Sequence, residues 1–445
     1  MTQIDLDKEK VLAMAKEMDV EFIRLQFTDI LGVLKNVAIP VQQLEKALDG
    51  EIMFDGSSIE GFVRIEESDM LLKPDPATFT IFPWRPRSGA VARLICDVYN
   101  ADGTPFAGCP RLTLKRVLAE AEAMGYAFTV GPEIEFFLFL TDKQGRPTTY
   151  TQDRASYFDL APVDLGENAR RDMVLALQEM GFEVKASHHE VAPGQHEIDL
   201  IYNDGLRVAD QIVTLKYAVR AIAQRHGLHA SFMPKPIFGV AGSGMHLHLS
   251  LFKDRINVFY DPNSPDGLSD TALFFLGGLL RHVRGFTAIT NSLVNSYKRL
   301  LSDFEAPRYI NWSKQNHSPL IRVTSWPEIG TWLEVRSPDP CCNPYLALAV
   351  MLKAGLEGIR QQVLPPPPMK QSSIQLYGAI RTAIESDELP EDLGKALREL
   401  SRDELIQEAL GPHIYQRFME AKTIEWNHYR TQIHRWEINE YLNRF

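Results

Sequence analysis

Apolar and polar positions alternate along this chain in two rhythms. Over Asp7–Met18 the apolar residues recur at helical spacing, and Glu21–Phe27, Val33–Ile39 and Val91–Val98 read as short strands. Phe54-Asp55-Gly56-Ser57-Ser58 reads as a loop between them. Asp102-Gly103-Thr104-Pro105 concentrates turn-forming residues and is the expected boundary between a first domain, 1–104, and a second, 105–445. Helices and strands then alternate. Leu112–Met124, Glu167–Met180 and Val208–His226 are predicted helices that stop at Gly125, Gly181 and Gly227, and Ile134–Leu140 is a dense apolar strand. Asn343-Pro344 opens another helix, with Asn as cap and Pro in the first turn. Leu364-Pro365-Pro366-Pro367-Pro368 breaks it into an extended connector. Thr423–Phe445 is expected to be one long polar–aromatic helix, too apolar along one stripe to stand alone. There is no internal repeat. The predicted class is α+β: a small N-terminal domain, then a larger one with an antiparallel sheet flanked by helices.

Composition narrows the function. The 445 residues are 45% hydrophobic and 24% charged, ordinary for a soluble globular chain. A formal net charge of −11 argues against nucleic acid as the main partner and leaves room for clustered carboxylates. Met1–Lys10 lacks the apolar core of a secretory signal, and the apolar run Ala272–Leu280 is too short to span a bilayer. With four cysteines, two of them adjacent at Cys341–Cys342, free thiols and a cytoplasmic setting are expected, with no membrane partner.

Several strands carry acidic or imidazole side chains at even spacing, which puts them on one face. Glu133 and Glu135 form one such pair, His246 and His248 a second, Glu334 and Arg336 a third. Ser187–Glu197 looks like a hairpin with Pro193-Gly194 in a type II turn, which would set Glu190 opposite Glu197. Like charges so placed repel, so something positive should sit between them. Any one of these residues could simply face solvent; together they favour a shared polar funnel. Oxygen ligands with one imidazole suit Mg²⁺ or Mn²⁺ better than zinc.

These segments resemble class I glutamine synthetases over essentially the whole chain. Phe54–Gly61 is similar to the family's N-terminal latch, Gly131–Phe137 to its first metal strand and His188–Glu197 to its second. Gly242–His246 and Asn295–Leu300 resemble its glutamate-site signatures, and Glu334–Pro340 its last strand. The resemblance implies a β-grasp-like first domain, a curved catalytic sheet, and ligation of ammonia to glutamate with ATP as substrate, through a γ-glutamyl phosphate. Glu135, Glu190 and Glu197 would hold one metal, and Glu133, His246 and Glu334 the other. Arg299 and Arg336 would pair with glutamate carboxylates, and Gly242 would let backbone approach its amino group. Asp55, from a neighbouring subunit, would help bind ammonium and take its proton, with Tyr157 lining that pocket. Glu305 would be the flap carboxylate. Ser250, Arg322, His248 and Lys185 would lie at ATP. The family also implies a dodecamer, feedback inhibition linked to Arg64, and binding of a nitrogen-responsive transcription regulator.

The chain departs from the family pattern where arginine is expected, at His317 and Trp332, and at Ala241, Lys185 and the flap Leu301–Phe304. Losing one positioned donor costs about 10²–10³ in rate. Reduced turnover and a steeper fall with rising pH are therefore expected, and an unchanged rate and pH profile in His317→Arg would refute this. Two other readings stay open. One is a γ-glutamylamide ligase acting on a larger amine; the other is a non-catalytic regulatory paralogue.

Overall fold

The computed structural model describes residues 6–59, 69–264, 266–301, 306–314, 319–326, 330–369 and 387–445. Helix α1 (Lys8–Glu17) starts where the Asp7 carboxylate accepts the Lys10 amide at 2.9 Å, satisfying a donor the first turn would otherwise leave open. Val11 and Ala15, one turn apart, bury its inner face in the small core. That core lies under a five-stranded sheet of β1 (Val20–Thr28), β2 (Leu34–Pro40), β3 (Ile52–Asp55), β4 (Asp69–Ile81) and β5 (Ala90–Asn100). The order is β2-β1-β5-β4-β3, with β1 and β5 parallel and the other pairs antiparallel. A short α2 (Leu44–Leu48) links β2 to β3.

Two local expectations need correction. Phe54 and Asp55 belong to a strand, because they pair with Met70 and Asp69. That partner strand, β4, was not foreseen, since Pro74 and Pro76 each remove a ladder donor. Pro74 stays in register opposite Cys96, while Pro76 falls where the register with β5 shifts, between Asp75 and Thr80. On β5 the alternation sends Ala92, Leu94, Cys96 and Val98 into the small core and turns Arg93, Ile95 and Asp97 toward the larger domain. The turn at Asp102–Pro105 forms as expected, with Gly103 at φ 82° and the Asn100 amide donating to the Thr104 carbonyl at 2.8 Å.

The larger part opens with α3 (Pro110–Ala123) and carries an eleven-stranded sheet. Its strands are β6 (Ala127–Thr141), β7 (Pro147–Thr151), β8 (Val184–His189), β9 (Gln195–Leu200), β10 (Asn203–Asp204), β11 (Leu228–Ser231), β12 (Met245–Lys253), β13 (Ile256–Asn257), β14 (Trp312–Ser313), β15 (Ile321–Trp326) and β16 (Gly330–Val335). The main path runs β14-β15-β16-β12-β6-β9-β8, antiparallel except between β14 and β15. Helices α4 (Glu167–Glu179), α5 (Gly205–Arg225), α6 (Asp270–Thr290), α7 (Ser296–Leu300) and α8 (Pro344–Gln361) follow in chain order. One face of the sheet and these helices share the main core. Asn343 caps α8 as predicted, its carboxamide oxygen accepting the Tyr345 and Leu346 amides. Helix α6 is longer than its apolar run suggested and apolar enough to cross a membrane by composition, but 72% of that stretch is buried against the core. The predicted long C-terminal helix is a second correction of length. After α9 (Leu393–Leu400) and α10 (Glu404–Leu410), α11 (Pro412–Arg430) ends and α12 (Arg435–Tyr441) starts anew. His434 and Glu437 form a capping box there, giving the chain a fresh helix start in place of a continuation.

Candidate active site

The strand alternation builds the site. Ile134 on β6, Ile198 on β9, Leu247 and Leu249 on β12, and Leu333 and Val335 on β16 point into the core. Their neighbours Glu133 and Glu135, Glu197 and Asp199, His246 and His248, and Glu334 must take the opposite face. Register then sets them side by side. Arg322 stands opposite Glu334, which stands opposite His248; His246 faces Glu133, which faces Asp199; Glu135 faces Glu197, which faces His188.

Two carboxylate–imidazole groups result. In the first, ligand atoms of Glu133, His246 and Glu334 all lie within 4.8 Å of one another. His246 Nδ1 is 3.6 Å from Glu133 and 3.7 Å from Glu334. Arg336 Nη1 donates to Glu334 at 2.7 Å, and Arg322 Nε pairs with its other oxygen. Glu133 also has His248 Nε2 at 3.0 Å and Lys185 Nζ at 3.6 Å. Burial alone would raise the Glu133 carboxyl, but hydrogen bonds from His246 and His248 outweigh it and hold the group well below the usual range. The same contest at Glu334, with Arg336 the leading opposing charge, ends in the same direction.

The second group is His188, Glu190 and Glu197. Here the predicted register is corrected. The turn closes as expected, Gln195 N donating to Ala192 O at 3.0 Å with Gly194 at φ 65°. Yet His188, not Glu190, stands opposite Glu197. Val191 N is taken by the Glu190 carboxylate and Ala192 N by the Gln195 side chain, so two amides leave the ladder and the first arm bulges. His188 was missed, although its place in the doublet His188-His189 was a signal. It lies 3.6 Å from Glu190 and 3.4 Å from Glu197, between the two carboxylates. Glu135, expected in this set, accepts the Gln195 carboxamide at 2.8 Å and the Gly244 amide at 2.9 Å. It stays electrostatically close. Burial, followed by the charges of Glu135 and Asp199, pushes the Glu197 carboxyl well above its ordinary range. Carboxylates this crowded fit a hard divalent cation, and the oxygen-rich donors are of the right kind.

Other expected residues are placed as follows. The Tyr157 ring stacks on Phe158 and meets His188 edge-on at 5.4 Å, so it reaches the second group. Arg299 is buried and donates to the carbonyls of Arg336, Ser337 and Pro338, pressed against Gly244. Gly242 is required by protein packing, since a Cβ there would meet the Pro234 carbonyl at 2.2 Å. Ser250 is buried and bonded to Thr331 and Asn257. Asp55 sits on β3 in the small sheet, its carboxylate accepting from the Ser57 amide and hydroxyl, and is not among the residues the catalytic sheet gathers. Trp332 stacks on Tyr202 with centroids 3.8 Å apart, next to His248 on the same face, a pair the sequence did not announce. Ala241 packs on a small cluster with Phe137 and Phe139. Glu305, His317 and Arg64, with Ser302–Phe304 of the flap, lie outside the described residues. A further buried set, Asp153, Asp164, His189 and His196, lies beneath the hairpin. Arg170 fills it, donating to Asp164 and to His196 Nδ1, while Asp153 accepts the Gly194 amide and so fixes the turn.

The chain's similarities agree with this arrangement. Residues 19–101 match the family model "Glutamine synthetase, beta-Grasp domain", and residues 107–441 match "Glutamine synthetase, catalytic domain". The glutamine synthetase of Clostridium saccharobutylicum is 58% identical over 98% of this chain and 99% of its own. That of Staphylococcus aureus is 56% identical over 98% of each. A solved structure titled "GmaS/ADP complex-Conformation 1" superposes with a TM-score of 0.88 at 32% identity, covering 97% of this chain and 99% of that one. A Plasmodium falciparum glutamine synthetase superposes at 0.86 with 24% identity, over 98% of each, which speaks to the fold alone. The chain belongs to the glutamine synthetase family.

Proposed function

We propose that this protein is a glutamate–ammonia ligase, and that the sheet face described above is its active site. The observation that carries the reading is the convergence of two carboxylate–imidazole groups on one face, flanked by Arg322 and Arg336. Glu133, His246 and Glu334 would hold one divalent cation, Mg²⁺ or Mn²⁺. Glu190 and Glu197, with Glu135 and His188, would hold the other. When bound, the cations supply charge neutralisation for a transferred phosphoryl group. Arg336 and Arg299 would orient glutamate, and Lys185, His248, Ser250 and Arg322 would lie along ATP. ATP would phosphorylate the glutamate side chain, giving an acyl phosphate and ADP; ammonia would then attack the acyl carbon and phosphate would leave, giving glutamine. Asp55 of a neighbouring copy would take the ammonium proton, with Tyr157 beside it. Glu305 would shield the intermediate from water, and His317 would lie by the phosphate. The boundary between the two functional parts falls at 104/105. Exposed Ile433, Trp436, Leu442 and Phe445 near α12 support assembly into a homo-oligomer, a dodecamer in this reading. Cytoplasmic location, an Arg64-linked feedback response and a regulator partner belong to the same proposal.

The γ-glutamylamide reading is the weaker one, because relatives named glutamine synthetase are 56–58% identical over 98% of this chain. The test is phosphate release from ATP with Mg²⁺, omitting glutamate or ammonia in turn. Release that needs both, with glutamine formed, is expected. Release that ignores ammonia but responds to methylamine or a larger amine would overturn the assignment, as would no release from folded protein.

A further inference from the structure

Arg336 opens the loop that joins β16 to α8, and that loop is bound to the rest of the protein largely through its own carbonyls. Those of Arg336, Ser337 and Pro338 accept from the Arg299 guanidinium at 3.0, 2.8 and 3.3 Å. Those of Pro340 and Cys342 accept from the Lys216 ammonium of α5 at 3.0 and 3.5 Å. Both cations are buried. Carbonyl dipoles solvate a cation but do not neutralise it, so two buried charges on one loop call for an anion.

The loop carries that anion itself. Asp339, between Pro338 and Pro340, is 0% exposed. Its Oδ1 accepts the Cys341 amide at 3.0 Å and its Oδ2 the Asn291 carboxamide at 3.0 Å. Burial pushes the carboxyl upward, while a hydrogen bond from Ser296 and then the Arg299 charge oppose that. Burial pushes the two cations downward. Glu135 and then Asp339 oppose this at Arg299; the Cys342 and Cys341 thiols and Asp339 oppose it at Lys216.

The same residue fixes the loop in place. Its amide donates to the Thr290 carbonyl at 3.2 Å, at the end of α6. The Thr290 hydroxyl donates to Asn291 Oδ1, which leaves Asn291 Nδ2 for the loop, where it also meets the Ser337 carbonyl at 2.7 Å. Ser296 and Arg299 both stand on α7. Asp339 thus ties α6, α7 and the loop together beneath the two arginines. We infer that Asp339 is a positioning residue for glutamate binding: it fixes the loop that aims Arg336 and supplies buried counter-charge to Arg299. This rests on the glutamate-orienting role proposed above for those arginines.

The test is steady-state kinetics of full-length Asp339→Asn, with hydrogen exchange over residues 336–342 measured beside it. Asparagine keeps the shape and an acceptor for the Cys341 amide but loses the charge. The KM for glutamate should rise about tenfold or more, the usual weight of a hydrogen bond to a charged group, with the KM for ATP nearly unchanged. The Cys341 amide should exchange faster than in the wild type. A merely structural role would lower the yield of active enzyme and leave both KM values in place; that result overturns the inference, as does an equal rise in both. Unchanged exchange over the segment overturns it too. If Asp339→Asn does not fold, Asn291→Ala, which removes the clasp on Ser337 and Asp339, takes its place with the same expectations. A wild type that releases no phosphate with glutamate sinks the functional reading and this inference together. A working wild type with an unshifted glutamate KM in the variant sinks this inference alone.

Discussion

Glu197 shows how far a single position was legible and what remained hidden. The hairpin read over Ser187–Glu197 set it opposite another carboxylate, and the family pattern made it a candidate ligand. Its ionisation depends on neighbours that only register reveals. It is 7% exposed, and burial, then Glu135 and Asp199, raise its carboxyl above the ordinary 4.5. A carboxyl raised in the fold contributes stability that is present below its unfolded value and lost as pH climbs through the folded one. Metal-free protein should therefore lose stability from about pH 4.5 upward, and Glu197→Gln should remove that part of the decline. Mn²⁺ should restore stability at neutral pH in the wild type and much less in the variant. Parallel pH profiles of urea midpoint in the two metal-free proteins would contradict this. The cysteines give a second prediction at this scale. Burial pushes Cys109 up to about 11 and Cys341 up to about 12, so both thiols stay protonated at neutral pH. Native protein should resist iodoacetamide at mildly alkaline pH and react rapidly once unfolded. Fast labelling of either thiol in native protein would show that the pocket around it opens.

At the scale of elements, the strands with clean alternation were readable and the irregular ones were not. Glu133 with Glu135 and His246 with His248 could be assigned to one face from spacing alone. The facing of Glu190 was misjudged because side chains of Glu190 and Gln195 capture two ladder amides, a tertiary event with no periodic trace. Strand β4 was missed because Pro74 and Pro76 argue against a strand, yet Pro74 keeps its place opposite Cys96 and Pro76 falls in a register shift. Helix contacts carry another constraint invisible in one sequence. Where α6 crosses α8, a Cβ on Gly278 would lie 2.2 Å from the Ala354 carbonyl, and one on Gly358 would lie 2.1 Å from the Phe274 carbonyl. Both obstacles are backbone, so they cannot rotate away. Gly278→Ala and Gly358→Ala should each destabilise the protein by about 1–3 kcal/mol, despite the better helix propensity of alanine. Chemical denaturation measures this directly, and a neutral or stabilising result would mean that the two helices can separate without cost.

At the scale of the molecule, the two cores are held together by a charge cluster around Arg111. Asp75 and Asp97 come from the sheet of the small domain and Asp210 from α5, so one guanidinium bonds acids from both sides. The sequence showed the turn between the domains but not this clamp, because its members lie far apart along the chain. Removing a partner from a buried ionic group is more damaging than never having built it, since the remaining charges stay desolvated. Arg111→Met should therefore cost about 3–5 kcal/mol. Arg111→Lys should recover part of that through its charge but not the forked contact with Asp210. The acid side offers a sharper signature. Burial alone would raise the Asp75 carboxyl, but Arg111 outweighs it and holds the group below 3.8. A lowered carboxyl contributes stability present above its unfolded value and lost as pH falls through the folded one. Wild-type protein should thus lose stability as pH drops below about 3.8, and Arg111→Met should lack the share due to Asp75. Since the clamp joins the domains, the variant should also be cut faster by protease at the exposed Asp102–Pro105 turn before the larger core unfolds. Unfolding that stays a single unshifted transition, with no new cleavage at that turn, would show that the domains are held by apolar contact alone.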